Sequence, residues 1–168
     1  SKKKYNSIYN SENAFGETYG QHREALELSK KDLVLLKKEC KKHNVDFMAT
    51  AFDEKSLNLL LDIKVDVLKI ASFDLGNLKL IKSFAKSRKP TVLSIGGGKI
   101  NHLVPTVKLI KKYSNDFAIL HCVSEYPCPV ERLGLNNIEK LIKKFPKQVI
   151  GLSDHFNGVL SGPIAYMF

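Results

Sequence analysis

Cysteine is scarce in this chain. Three residues, Cys40, Cys122 and Cys128, stand among 168. The number is odd and no CxxC spacing occurs, so a disulfide scaffold, a zinc finger and a dithiol redox motif are excluded. A reducing compartment, hence a cytoplasmic location, is the expectation. Long apolar runs are missing as well. Nothing approaches the ~18 residues of a transmembrane helix, and Ser1-Lys2-Lys3-Lys4 leads into no apolar stretch that would make it a signal peptide. Acidic charge is in deficit, with 17 Asp and Glu against 27 Lys and Arg and a net charge of +10. A polyanion partner is one reading of that balance. The lysines, however, come as pairs on otherwise amphipathic segments, at Lys37-Lys38, Lys41-Lys42, Lys111-Lys112 and Lys143-Lys144. That is the pattern of solvated helix faces. Arginine-rich tracts and an aromatic RNA-binding signature are both absent, so small anionic substrates are favoured over nucleic acid.

What is present is ordinary globular composition, 43% hydrophobic and 26% charged, which rules out a disordered or collagen-like chain. The length suits one domain or part of one, and a chain of this size can bury ~70% of its unfolded surface. The first residue is not Met, and Ile164-Ala165-Tyr166-Met167-Phe168 closes the chain without a cap or stop signal. A fragment of a larger domain is therefore expected.

Alternation dominates the pattern. Short β-type runs cover Val45 to Ala51, Val67 to Ala71, Thr91 to Ile95, Phe117 to Val123 and Val149 to Leu152. A helical stripe follows each of the first four: Leu57, Leu60 and Leu61; Leu78, Ile81 and Phe84; Ile100, Leu103, Val104 and Val107; Ile138, Leu141, Ile142 and Phe145. An earlier helix starts at Ser29, with Ser29 and Asp32 as a capping pair and Asn44 as its closing residue. Strand starts recur every ~20–30 residues, one βα unit each. The strands read as nearly continuous apolar runs, as parallel strands covered on both faces do. The class is α/β. Five strands fit an open doubly wound sheet or part of an eight-stranded barrel of ~250 residues; the open-ended termini favour the partial barrel.

Function in parallel α/β folds gathers at the carboxyl ends of the strands, and polar residues gather there. Thr50 and Asp53 end the first run, Ser72 and Asp74 the second, Ser94-Ile95-Gly96-Gly97-Gly98 the third, Ser124-Glu125-Tyr126 the fourth and Ser153-Asp154-His155 the fifth. Each could be a cap or turn residue alone; five in succession indicate a shared polar site. Lys69 interrupts an apolar run where a lysine is costly to bury. Either it lies on an edge strand in water, or it is an inward ammonium that meets a phosphate or carboxylate. Ser94 and the glycines after it could offer hydroxyl and backbone donors to an anion, though the spacing is not that of a Walker A loop. His155 suits a metal or a proton transfer, but one His is not a metal site. His121, inside an apolar run, reads as a core histidine bonded to the backbone.

Five segments, in order, resemble the N-acetylneuraminate (sialic acid) synthase family, which includes the pseudaminic and legionaminic acid synthases. They are Thr18-Tyr-Gly-Gln-His-Arg-Glu-Ala-Leu-Glu-Leu-Ser29, Lys69-Ile-Ala-Ser-Phe-Asp74, Leu93-Ser-Ile-Gly96, Leu120-His-Cys-Val-Ser-Glu-Tyr-Pro127 and Gly151-Leu-Ser-Asp-His155. The resemblance runs from about Ser11 to the end. It implies a partial TIM barrel holding about strands three to seven. Residues 1–28 would form a loop and short helix after a missing second strand. Strand eight and any antifreeze-like domain would lie outside the chain.

The resemblance further implies a transferase that condenses phosphoenolpyruvate with an N-acetylated amino sugar, N-acetylmannosamine or similar, to a nonulosonic acid with release of phosphate. A pseudaminic or legionaminic acid synthase with another acceptor, and a truncated barrel without catalysis, are the alternatives. By motif position Thr50, Lys69, Ser72, Ser94 and Ser153 would contact phosphoenolpyruvate, Ser124 and Tyr126 the substrate, and Asp74 would be the acid/base carboxylate beside the sugar. His155 would be one ligand of a divalent metal, Mn2+ or Mg2+, with a second His outside this chain. The full-length protein would be a homodimer without nucleic-acid or membrane partners, and this fragment alone would be inactive. Departures touch the acceptor side: Asp74 stands where Glu is frequent, Gly97 where Met is common and Ala51 where Pro is common. No role attaches to Tyr19-Gly-Gln-His-Arg23.

Overall fold

Five parallel strands, β1 (Met48–Thr50), β2 (Val67–Ile70), β3 (Thr91–Ser94), β4 (Phe117–Cys122) and β5 (Val149–Ser153), pair in sequence order. The computed structural model describes residues 5–97 and 100–168. Ser1 to Lys4, Gly98, Lys99 and the side chain of Ile100 lie outside the described residues. The chain divides into two compact units, Ser1–Glu39 and Cys40–Phe168. Among the described residues no helix is long and apolar enough to cross a membrane.

The first unit is built around α1 (Tyr19–Ala25). Thr18 and Gln21 form a capping box: each side chain accepts from the other's backbone N–H, at 3.2 and 3.1 Å. Tyr9 packs edge-on against Tyr19 with centroids 5.7 Å apart and lies 4.4 Å from the His22 ring. The Phe15 N–H donates to His22 Nδ1 at 3.2 Å. So the Tyr19–Arg23 motif carries local packing of its own. Ser29 and Asp32 cap the helix α2 (Lys30–Lys42) reciprocally, as their spacing predicts.

In the second unit Asn44 closes α2 with a φ of 54°, and the Val45 N–H bonds back to the Cys40 carbonyl at 3.0 Å. That is a Schellman closure with Asn in the left-handed position. It consumes Val45, and the Asp66 carboxylate takes the Phe47 N–H at 2.9 Å. The first strand therefore begins at Met48, three residues later than the apolar run suggests. Four helices join the strands: α3 (Glu54–Asp62), α4 (Leu78–Lys86), α5 (Leu103–Lys111) and α6 (Asn136–Lys144); α7 (Ser161–Tyr166) follows β5. Their stripes supply the core. Leu57, Leu60, Ile81, Phe84, Leu103, Val107, Ile138, Leu141 and Phe145 are buried, each contributing roughly 1.5–3 kcal/mol through burial. Leu78 and Ile142 depart from expectation and stay exposed: α4 turns Leu80 and Ala85 inward instead.

The strands sort by parity. Leu68, Ile70, Leu93 and Ile119 are fully buried, whereas Val67, Lys69, Val92, Ala118 and Leu120 are half-buried. The sheet thus has one deeply covered face, not two, and the second face is where the polar residues emerge. The register explains their meeting. Thr50 pairs with Lys69, and Lys69 with Val92, so Ser94 stands two residues further on. Ser94 pairs with Leu120, and Cys122, two further again, pairs with Ser153. A repeated two-residue stagger is what a sheet that curls toward closure requires.

Candidate active site

That stagger brings seven of the predicted residues around one cavity of about 270 Å3. Thr50, Lys69, Ser94 and Ser153 come from strand ends, Ser72 from the single turn after β2, and Tyr126 and His155 from the loops after β4 and β5. Ser124 joins through a 2.9 Å hydroxyl–hydroxyl bond to Ser72.

Lys69 is half-buried on β2, which is paired on both sides. The edge-strand alternative is thereby excluded. Among the described residues no acidic side chain forms a salt bridge with its ammonium. Ser94 is 1% exposed, and its Oγ has no hydrogen-bond partner. A buried hydroxyl without a partner costs about 1–3 kcal/mol, and a ligand acceptor in the cavity would remove that cost. A half-buried cation, an unpartnered donor and a linked pair of hydroxyls make a site for a compact anion.

The glycines after Ser94 serve close packing. A Cβ on Gly96 would lie 2.3 Å from the Cys122 carbonyl oxygen, and one on Gly97 would lie 2.8 Å from Ser72 Oγ and 3.0 Å from the Phe73 nitrogen. Gly98, the third member of the expected anion-binding turn, is outside the described residues.

His155 is held by its own loop. Its Nδ1–H donates to the Val123 carbonyl at 2.7 Å, and its ring lies 4.1 Å from that of Tyr126. With Nδ1 engaged by the backbone, Nε2 is the ring nitrogen left for a metal or a proton. The His155 carbonyl accepts from the Cys128 N–H at 2.8 Å. The adjacent Asp154 accepts from the Phe156 N–H at 2.9 Å and from the Ser161 hydroxyl. Burial pushes the Asp154 carboxyl up, but the Ser161 hydroxyl and the backbone donors outweigh it and hold the pKa below the usual carboxylate value. Among the described residues no group of three or more His, Cys, Asp and Glu could enclose a metal. The cavity lining offers a metal one imidazole, that of His155.

Asp74, like Ser124, does not line the cavity, and no bond to a lining residue's side chain joins it as one joins Ser124. It ends the single turn Ser72–Asp74 and is 4% exposed. Its Oδ1 accepts from Asn77 Nδ2 at 3.2 Å, while Oδ2 has no partner. Burial raises its pKa, and the Asn77 bond opposes that only in part.

His121 is buried, and its Nε2 lies 2.7 Å from the Leu133 carbonyl oxygen, the backbone-bonded core role expected of it. Four lining residues escape a search for polar groups at strand ends: Phe52, Ala71, Phe73 and Cys122. Phe52 lies two residues past Thr50 and Phe73 directly after Ser72, so an aromatic beside each polar strand end was the available signal.

A parallel α/β sheet that presents a lysine, hydroxyls and an imidazole at its carboxyl ends has the form of a small-molecule site for an anion. The NeuB family profile matches residues 1–168, and the chain belongs to that family. It is 38% identical over 160 residues to the N-acetylneuraminate-9-phosphate synthase of Drosophila melanogaster, covering 95% of this chain and 43% of that protein. The N,N'-diacetyllegionaminic acid synthase of Legionella pneumophila is 32% identical over 146 residues, covering 84% of this chain and 41% of the relative. Among solved structures, the N-acetylneuraminic acid (sialic acid) synthetase of Leptospira borgpetersenii in complex with citrate superposes with a TM-score of 0.82. It shares 37% identity over 90% of this chain and 53% of that one. The chain spans less than half the length of these two curated relatives.

Proposed function

We propose that the protein containing this chain condenses phosphoenolpyruvate with an N-acetylated amino sugar, N-acetylmannosamine or a close relative, giving a nonulosonic acid and inorganic phosphate. The observation that carries this reading is the pairing of the Lys69 ammonium with the unpartnered Ser94 hydroxyl in one cavity. The two-residue offset of the site residues from β2 to β3 and from β3 to β4 supports reading the sheet as about the third to seventh strands of a TIM barrel. Three unpaired cysteines, two of them buried, suit a cytoplasmic enzyme. The full-length protein is taken as a homodimer that acts on small molecules.

Lys69 sits against the phosphate and carboxylate of phosphoenolpyruvate, and Thr50, Ser72, Ser94 and Ser153 donate to their oxygens. Ser124 and Tyr126 position the open-chain sugar. The terminal enol carbon attacks the sugar aldehyde carbon, and Asp74, whose pKa burial raises, is the acid/base carboxylate that passes a proton to the aldehyde oxygen. Water adds at the carbon that bears the phosphate, and the tetrahedral adduct expels phosphate by carbon–oxygen cleavage. A divalent cation, Mn2+ or Mg2+, held in part by His155 and by a second imidazole outside this chain, would supply Lewis-acid polarisation.

The test is phosphate release from phosphoenolpyruvate by the full-length protein, with manganese and a panel of N-acetylated sugars. Sugar-dependent release, lost with chelator and in Lys69→Ala, is expected. No release from folded, metal-loaded protein with any sugar overturns the reading. The present chain alone, short of a second imidazole, is expected to release none.

A further inference from the structure

A second and larger cavity, about 470 Å3, opens on the helix side of β4, between α5 and α6. Its volume falls in the range of small-molecule sites and far exceeds a packing defect in a core. Leu103, Leu141, Ile95 and Val123 give it apolar walls, and the imidazole of His121 lines it as well. His121 Nε2–H is committed to the Leu133 carbonyl at 2.7 Å.

The mouth is cationic. Asn137, Lys140 and Lys144 line it from one face of α6, at the spacing that aligns side chains along a helix. The same helix pairs Lys143 with Glu139, at 2.5 Å, and neither of these lines the cavity. Lys140 reaches only Asn137 Oδ1, at 3.0 Å, and among the described residues neither Lys140 nor Lys144 has an acidic partner.

We propose that this cavity is a second ligand site, distinct from the strand-end cavity, for a small organic anion with an apolar body. The anionic group meets Lys140 and Lys144, and the apolar body descends between Leu103 and Leu141. Its floor is continuous with the first site: Cys122 lines both cavities, and Val123, a wall of the second, supplies the carbonyl that orients His155.

The probe is anilinonaphthalene sulfonate, titrated by fluorescence into the full-length protein with and without saturating phosphoenolpyruvate. The expected result is a saturable component of one site per chain that phosphoenolpyruvate does not displace. In the double variant Lys140→Ala, Lys144→Ala that component weakens at least about tenfold, the loss of one charge-assisted hydrogen bond. If the double variant does not fold by circular dichroism, Asn137→Trp, which fills the mouth, is held to the same criterion. Absence of a saturable component, unchanged affinity in the variant, or displacement by phosphoenolpyruvate overturns the proposal.

Discussion

Phe52 and Phe73 stack with their ring centroids 5.7 Å apart and their planes 4° from parallel. Both line the strand-end cavity, and they remain 52% and 63% exposed. The pair joins the segment after β1 to the turn after β2. Apolar rings left in water beside a lysine and a row of hydroxyls form a flat platform, suited to the carbon face of a sugar. Truncating one ring removes an aromatic contact of about 0.5–1.5 kcal/mol. Phe73→Ala in the full-length protein is expected to raise KM for the sugar by roughly 3–10-fold and to leave KM for phosphoenolpyruvate unchanged. Equal effects on both constants would remove the platform from the acceptor side.

The anion side has a complementary test. Lys69 has no acidic partner among the described residues, so its replacement leaves no orphaned carboxylate and the fold should survive. Lys69→Met is expected to keep the thermal midpoint within a few degrees while kcat/KM for phosphoenolpyruvate falls about 100-fold or more, the loss of two charge-assisted bonds at ~1.5–3 kcal/mol each. Ser94→Ala is the informative companion. It removes a hydroxyl that lacks a partner, so stability should hold or rise while KM for phosphoenolpyruvate climbs. A loss of stability in Ser94→Ala would show that the hydroxyl is already satisfied.

Gly97 is a steric requirement. A Cβ there comes within 2.8 Å of Ser72 Oγ, and Ser72 is bonded to Ser124 at 2.9 Å. Gly97→Ala must push the Ser72 turn aside or break that bond. The expected cost is about 1–3 kcal/mol, read as a lowered denaturation midpoint, with a raised KM for phosphoenolpyruvate. Unchanged kinetics in a destabilised variant would mean that the Ser72–Ser124 bond serves folding only.

How much of this was legible in the sequence follows from which interactions are local. Ser29 with Asp32, Asn44 and the apolar stripes act within one or two helical turns, so their spacing declares them. Lys69 was ambiguous because a period-two pattern gives a residue's face but not its strand's place in the sheet; the pairing of β2 with both β1 and β3 decides it. The shortened β1 was hidden because the Asp66 side chain, nineteen residues downstream, takes the Phe47 N–H. The second cavity was invisible for the same reason, since Leu103, His121 and Lys144 meet only when α5, β4 and α6 are packed. The left-handed residues Lys64 and Arg88, with φ of 57° and 54°, also escaped, as neither is a residue type that announces that conformation.

Asp74 gives the pH dependence. Burial disfavours its charged form, and the Asn77 bond offsets this only partly, so its folded pKa lies above the ordinary carboxylate value. The native state therefore holds this proton at pH values where the unfolded chain has released it. With more protons bound in the native state, stability falls as pH rises from the unfolded pKa, about 4, through the raised folded value. Asp74→Asn keeps the shape, cannot ionise and escapes that loss. Chemical denaturation at a series of pH values should show wild type and variant diverging above about pH 4, with the variant the more stable at neutral pH. Phosphate release by the full-length Asp74→Asn protein should meanwhile fall by about 100-fold or more, the usual worth of a positioned proton donor. A carboxyl retained at the expense of stability is what a working acid/base requires. Parallel stability curves with full activity would reduce Asp74 to a turn residue that caps nothing and transfers no proton.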